Sequence, residues 1–134
     1  MIETMNNAEG SGSHTTSAIP TGASIFVKER DIDNLGWHSK LRNQLADAGY
    51  AILDSQGSEG TFIFVYDYQA KYDVFHYTLR GDDFVVKTSS GTVVLKSHFE
   101  HTSLLSEDTL LKDDLEKVIQ AMKTGKSDNR HLKN

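Results

Sequence analysis

From Thr61 to Glu100 the apolar residues fall largely on alternate positions, whereas the segments on either side repeat every three or four. A two-residue period places successive side chains on opposite faces of a strand, and a period near 3.6 gathers them on one stripe of a helix. A chain that changes period in this way must fold as a mixed helix-and-sheet domain. In the middle segment Phe62, Phe64, Tyr66 and Tyr68 share one face, and Ile63, Val65 and Asp67 share the other. Phe75, Tyr77 and Leu79 alternate within Tyr72 to Arg80, followed by Phe84 to Thr88 and by Thr92 to Glu100 with Val93, Leu95 and Phe99 aligned. Gln69-Ala70-Lys71, Gly81-Asp82-Asp83 and Ser89-Ser90-Gly91 supply turn or bulge chemistry between these runs. A meander of hairpins is expected, with Phe62 to Tyr68 near its centre.

The flanking segments supply the helices. Ser24 to Arg30 is a β-branched and aromatic run suited to a first strand. Asp33 or Asn34 then caps a helix that continues to about Ala48, with Trp37, Leu41, Leu45 and Ala48 as its apolar stripe and Gly49 as its stop. Tyr50 to Leu53 follows as a short strand, and Asp54 to Gly60 as a polar loop. At the far end Ser106 caps a second helix, with Leu105 and Leu110 placed as a staple and Glu107 and Asp108 in the first turn. Leu111, Leu115, Val118, Ile119 and Met122 form its stripe, and Gly125 ends it. The expected fold is α+β in the order β-α-β-β-β-β-α, a largely antiparallel sheet with two helices packed on one face. A crossover helix between the first two strands should make them parallel neighbours, or nearly so, in the right-handed sense.

With 134 residues the chain suits one domain, placed at 24–124. Residues 1–23 are rich in Ser, Thr, Gly and Asn and are expected to be a disordered polar leader, and 125–134 a flexible basic tail. The absence of cysteine excludes disulfide staples, thiolate metal sites and a thiol nucleophile. A formal charge of -5 disfavours nucleic acid, because the only basic density is the short tail. No run approaches the roughly 18 to 20 apolar residues of a membrane-spanning helix.

Candidate chemistry is sparse. His98 and Glu100 share a strand face and His101 follows, so two imidazoles and a carboxylate stand within reach of a metal or small ligand, but no fourth ligand is identifiable. Asp73 and His76 lie an odd number apart on a strand and so fall on opposite faces. Asp82-Asp83 and Asp113-Asp114 read as solvated charges, since neighbours in sequence diverge. Gly57-Ser58-Glu59-Gly60 is a turn and not a phosphate loop, and Arg80-Gly81-Asp82 matches an adhesion tripeptide only at the level of ordinary turn chemistry. No catalytic residue, no bound metal and no cofactor is expected.

Tyr66, Tyr68, Tyr72 and Tyr77 form the most promising surface, because tyrosine combines large contact area with a polar tip. These four are the expected partner-binding residues. The layout Leu41-x3-Leu45-x2-Ala48-Gly49-Tyr50, a short strand, Phe62 to Tyr68, a strand-turn-strand around Ser90-Gly91-Thr92-Val93-Val94 and a closing amphipathic helix resembles small Gram-negative envelope lipoproteins. That group includes the periplasmic domains of the penicillin-binding-protein activator and of curli-secretion lipoproteins, and the resemblance spans roughly 24–123. It implies a non-catalytic accessory role at the periplasm or the inner face of the outer membrane, docking to a protein partner or to copies of itself. It also implies membrane contact only through a lipid anchor, whose cysteine this sequence does not contain. The alternative is a small cytosolic metal- or ligand-binding protein or enzyme using His98, Glu100 and His101.

Overall fold

The change of period becomes a six-stranded sheet and two helices, seen in a computed structural model that describes residues 11–57, 59–72, 75, 77–102 and 105–127. The elements are β1 (Gly12–Thr15), β2 (Ser24–Lys28), α1 (Trp37–Asp47), β3 (Ala51–Leu53), β4 (Phe62–Tyr72), β5 (Tyr77–Lys87), β6 (Val93–Glu100) and α2 (Glu107–Thr124). From β2 onward this is the expected β-α-β-β-β-β-α. Across the sheet the order is β1-β6-β5-β4-β2-β3. β2 runs parallel to both β3 and β4, and the remaining pairs are antiparallel.

Two local expectations are corrected. Gly81-Asp82-Asp83 is not a turn, because it lies inside the continuous strand β5, held extended by ladders to β4 and β6. Its irregularity is a bulge: Gln69 opposes Gly81 while Ala70 opposes Leu79, which leaves Arg80 as the extra residue. The Arg80-Gly81-Asp82 tripeptide is therefore no hairpin tip, and Asp82 is fully buried. The leader is also not disordered throughout. Gly12–Thr15 adds β1 to the edge of β6, and Ile19 is fully buried, donating its N–H to Met122 O at 2.7 Å. A four-residue ladder and one buried isoleucine anchor this segment in spite of its polar composition. At the other end Ser127 Oγ accepts from Thr15 N at 3.1 Å. The remaining leader residues 1–10 and tail residues 128–134 lie outside the described residues.

Both helices cover the sheet face that carries Ile25, Val27, Phe64, Tyr66, Phe84 and Leu95. Trp37, at the start of α1, stacks on Phe84 at 6.3 Å and touches Tyr68 at 4.6 Å. Its indole N–H reaches Glu107 of α2 at 3.3 Å, so the first turns of the two helices are joined over the core. α2 has the caps its sequence announces: Ser106 Oγ accepts from Thr109 N, Glu107 and Asp108 occupy the first turn, and Gly125 closes it in the left-handed region. α1 differs, since its N-cap position is Gly36 and the capping oxygen comes from Asp33, three residues earlier.

Gly125 closes α2 at φ 68°, and a Cβ there would stand 2.7 Å from Ala18 N. Gly91 has a similar left-handed φ of 98° with nothing within 4 Å. Gly125→Ala should therefore cost more in urea denaturation than the roughly 1–2 kcal/mol of the left-handed backbone alone, and more than Gly91→Ala. Equal losses would show that the segment around Ala18 is not held against α2.

Candidate functional site

The four tyrosines do not share one environment. Tyr66 and Tyr68 are 2% and 7% exposed and lie on the helix-covered face, so the expectation that they meet a partner is corrected. Their hydroxyls donate to the two oxygens of Asp33, each at 2.7 Å. The same carboxylate accepts from Trp37 N at 3.1 Å and His38 N at 2.9 Å. Tyr66 and Tyr68 also accept from Arg30 N and Leu35 N, which fixes the chain between β2 and α1. Arg30 lies over the Tyr68 ring at 4.1 Å and pairs with Asp67 at 2.9 Å. Burial alone would raise the Asp33 carboxyl, but the four donors more than offset it and hold it below its ordinary value. Burial, and then the neighbouring carboxylate, push the Tyr66 hydroxyl upward.

Tyr72 and Tyr77 lie apart from this buried pair. They face each other at the far end of β4 and β5 with ring centroids 4.9 Å apart, and Tyr72 is 63% exposed. Phe75, between them in the connection, is 89% exposed. The sequence reading placed Phe75 on a strand face with Tyr77, but it stands at the tip of the hairpin. Asp73 and His76 lie outside the described residues.

The trio His98, Glu100 and His101 is divided by the pleat of β6. His98 lies between Asp83 at 2.7 Å and Glu100 at 3.1 Å on the face away from the helices. Partial burial opposes its protonation, but the two carboxylates outweigh that and raise its pKa. His101, just beyond β6, turns instead to Asp114 of α2, with Nε2 and Oδ2 2.6 Å apart. The three are not brought together.

A different cluster forms that the sequence analysis missed. Asp82 from β5, His101 and Asp114 place one ligand-capable atom each within 4.8 Å of one another. Asp82 is 0% exposed and Asp114 1%, so neither is the solvated charge that was expected. Each acidic pair diverges as foreseen, but one member of each turns inward and the two inward members meet. Neither oxygen of Asp82 has a hydrogen-bond partner among the described residues. Its carboxyl is pushed up to about 10, chiefly by burial, then by Asp114, which offers an ionised Asp82 no donor but can accept a hydrogen bond from a protonated one, and then by the charges of Asp114 and Asp83, with Lys117 acting in the opposite sense. The bulge at Arg80 was the hidden signal, because it reverses the inward parity between Leu79 and Asp82.

No protein-family model and no curated protein matches the chain. Solved structures do match. A PelC dodecamer from Paraburkholderia phytofirmans superposes with a TM-score of 0.56 at 14% identity, covering 84% of this chain and 95% of that one. The chain shares its fold with PelC. A minor lipoprotein from Acinetobacter baumannii gives a TM-score of 0.39 at 9% identity, over 75% of this chain and 83% of that one. Among the described residues no helix is long and apolar enough to cross a membrane.

Asp33 gives a pH prediction. Its lowered folded pKa contributes stability that is fully present above the ordinary value of 3.8 and is lost as pH falls through the lower folded value. Asp33→Asn should lower the melting temperature at neutral pH, and the gap to the parent chain should close progressively below about pH 4. A gap independent of pH would show that the carboxylate charge plays no part.

Proposed function

We propose that this chain is a non-catalytic assembly module of the bacterial envelope that docks to copies of itself through the aromatic end of the β4–β5 hairpin. The observation that carries the reading is the PelC likeness, which spans nearly the whole of a protein solved as a dodecamer. The hairpin supplies a surface suited to such a role. Exposed Tyr72 and Phe75, with the half-buried Tyr77 beside Tyr72, gather aromatic area at the end of the hairpin, the kind of anchor that dominates protein interfaces. Of the four tyrosines first considered, the proposal keeps Tyr72 and Tyr77 and releases Tyr66 and Tyr68.

The absence of catalysis is part of the proposal and is supported by how Asp33 and His98 are engaged. Asp33 is saturated by four donors, and His98 is held between two carboxylates. The envelope placement is supported by the resemblance of the sequence layout to small envelope lipoproteins, and attachment would come from a lipid anchor outside this sequence.

Sedimentation velocity across a micromolar concentration range tests the assembly. The chain should form a species several times its monomer mass, and the double variant Tyr72→Ser, Phe75→Ser should sediment as a monomer with an unchanged far-ultraviolet spectrum. A parent chain that stays monomeric throughout, or an assembly indifferent to both substitutions, would remove the proposal. Fractionation of cells producing the full gene product tests the location, and recovery in the cytosol alone would sink the envelope part.

A further inference from the structure

Beneath α2, a strand, a strand end and a helix converge on Asp82, His101 and Asp114. An acidic pair in a protein interior is unfavourable unless something of opposite charge joins it, because each ionised carboxylate loses its hydration. Surface acidic clusters avoid that cost by facing water, but this one does not. Asp82 is fully buried, its two oxygens have no hydrogen-bond partner among the described residues, and one of them stands within 4.8 Å of both His101 and Asp114. His101 and Asp114 side chains are 13% and 2% exposed. Lys117 acts on Asp82 only through its charge, and its ammonium stands 5.6 Å from the Phe99 ring centroid.

We propose that Asp82, His101 and Asp114 form a binding site for a divalent transition-metal cation, zinc by preference, which fastens α2 to the sheet. Two carboxylates and one neutral imidazole around a divalent cation sum to zero charge, which removes the electrostatic conflict between Asp82 and Asp114. The imidazole favours zinc over magnesium or calcium, which take oxygen ligands. Ligand atoms of a tetrahedral zinc ion lie about 3.3 Å apart, given bond lengths near 2.0–2.2 Å. The observed cluster therefore needs shifts of only about an ångström, with His101 Nε2 releasing its contact to Asp114 Oδ2 as its lone pair turns to the metal. A water molecule completes the fourth position. This site stands on its own residues and does not depend on the assembly proposed above.

The test uses the full chain, stripped with a chelator, dialysed and titrated with zinc alone by calorimetry, with melting temperature followed in parallel. One equivalent should bind and raise the melting temperature by several degrees. Asp82→Asn and His101→Ala should each weaken that binding at least about tenfold, while His98→Ala, which disrupts the surface cluster, should leave it unchanged. Cobalt substitution gives a second readout that does not depend on stability: visible absorption typical of a tetrahedral centre, present in the parent chain and absent from Asp114→Asn. Absence of saturable binding would overturn the proposal, as would binding lost in His98→Ala but kept in Asp82→Asn. A chain that gains stability on Asp82→Asn and ignores zinc would overturn it too, assigning the pair a shared proton instead.

Discussion

Laying two helices on one face of a sheet brings carboxylates out of water, and this chain handles the two principal cases in opposite ways. Asp33 receives four hydrogen bonds, two from tyrosine hydroxyls on β4 and two from the backbone at the start of α1. It thereby ties strand, loop and helix together through a single side chain, and the charge is stabilised by its surroundings. Asp82 receives none, although it is buried more deeply. The α1 side of the core is thus closed by a satisfied anion, whereas on the α2 side burial and the facing carboxylates hold Asp82 in its protonated form at neutral pH.

What places Asp82 there is the bulge in β5. Without the extra residue Arg80, a regular strand with Leu79 inward would turn Asp82 outward, since three residues separate them. With it, Leu79, Asp82, Phe84 and Val86 all face the helical layer opposite Ala70, Tyr68, Tyr66 and Phe64. Phe99 on β6 lies directly across from Asp82, so apolar rings flank the carboxyl on both sides. A single inserted residue therefore keeps the aromatic core in register and buries an acid at its edge.

The sequence made the elements legible because period, caps and turn residues agreed over most of the chain. The second helix is the clearest example, with Ser106, Glu107, Asp108, Lys123 and Gly125 all where capping and dipole arguments place them. The parallel pairing of β2 and β3 likewise followed from the crossover through α1. What escaped was nonlocal. Polar composition described Gly12–Thr15 correctly but could not reveal that β6 had a free edge for it to pair with. Gly81-Asp82-Asp83 had the composition of a turn and became a bulge because strands on both sides hold it extended. The approach of Asp82 to Asp114 depends on that bulge and on the rotation of α2, neither of which a local window contains.

The tyrosines show how one pattern acquires two roles. Tyr66, Tyr68, Ala70 and Tyr72 lie on the same face of β4, with no extra residue between them. At about 3.3 Å per residue, Tyr72 lies roughly 13 Å beyond Tyr68 along the strand. Trp37 covers Tyr68, whereas at Tyr72 the ring is mostly exposed and its neighbour is Tyr77 across the hairpin. The alternation rule correctly assigned the face, but a strand that outruns its helical cover turns from core into surface without any change of pattern. Exposed aromatic area therefore lies on the part of the hairpin that the helices do not reach, where the backbone beneath the rings is still held in a two-stranded ladder.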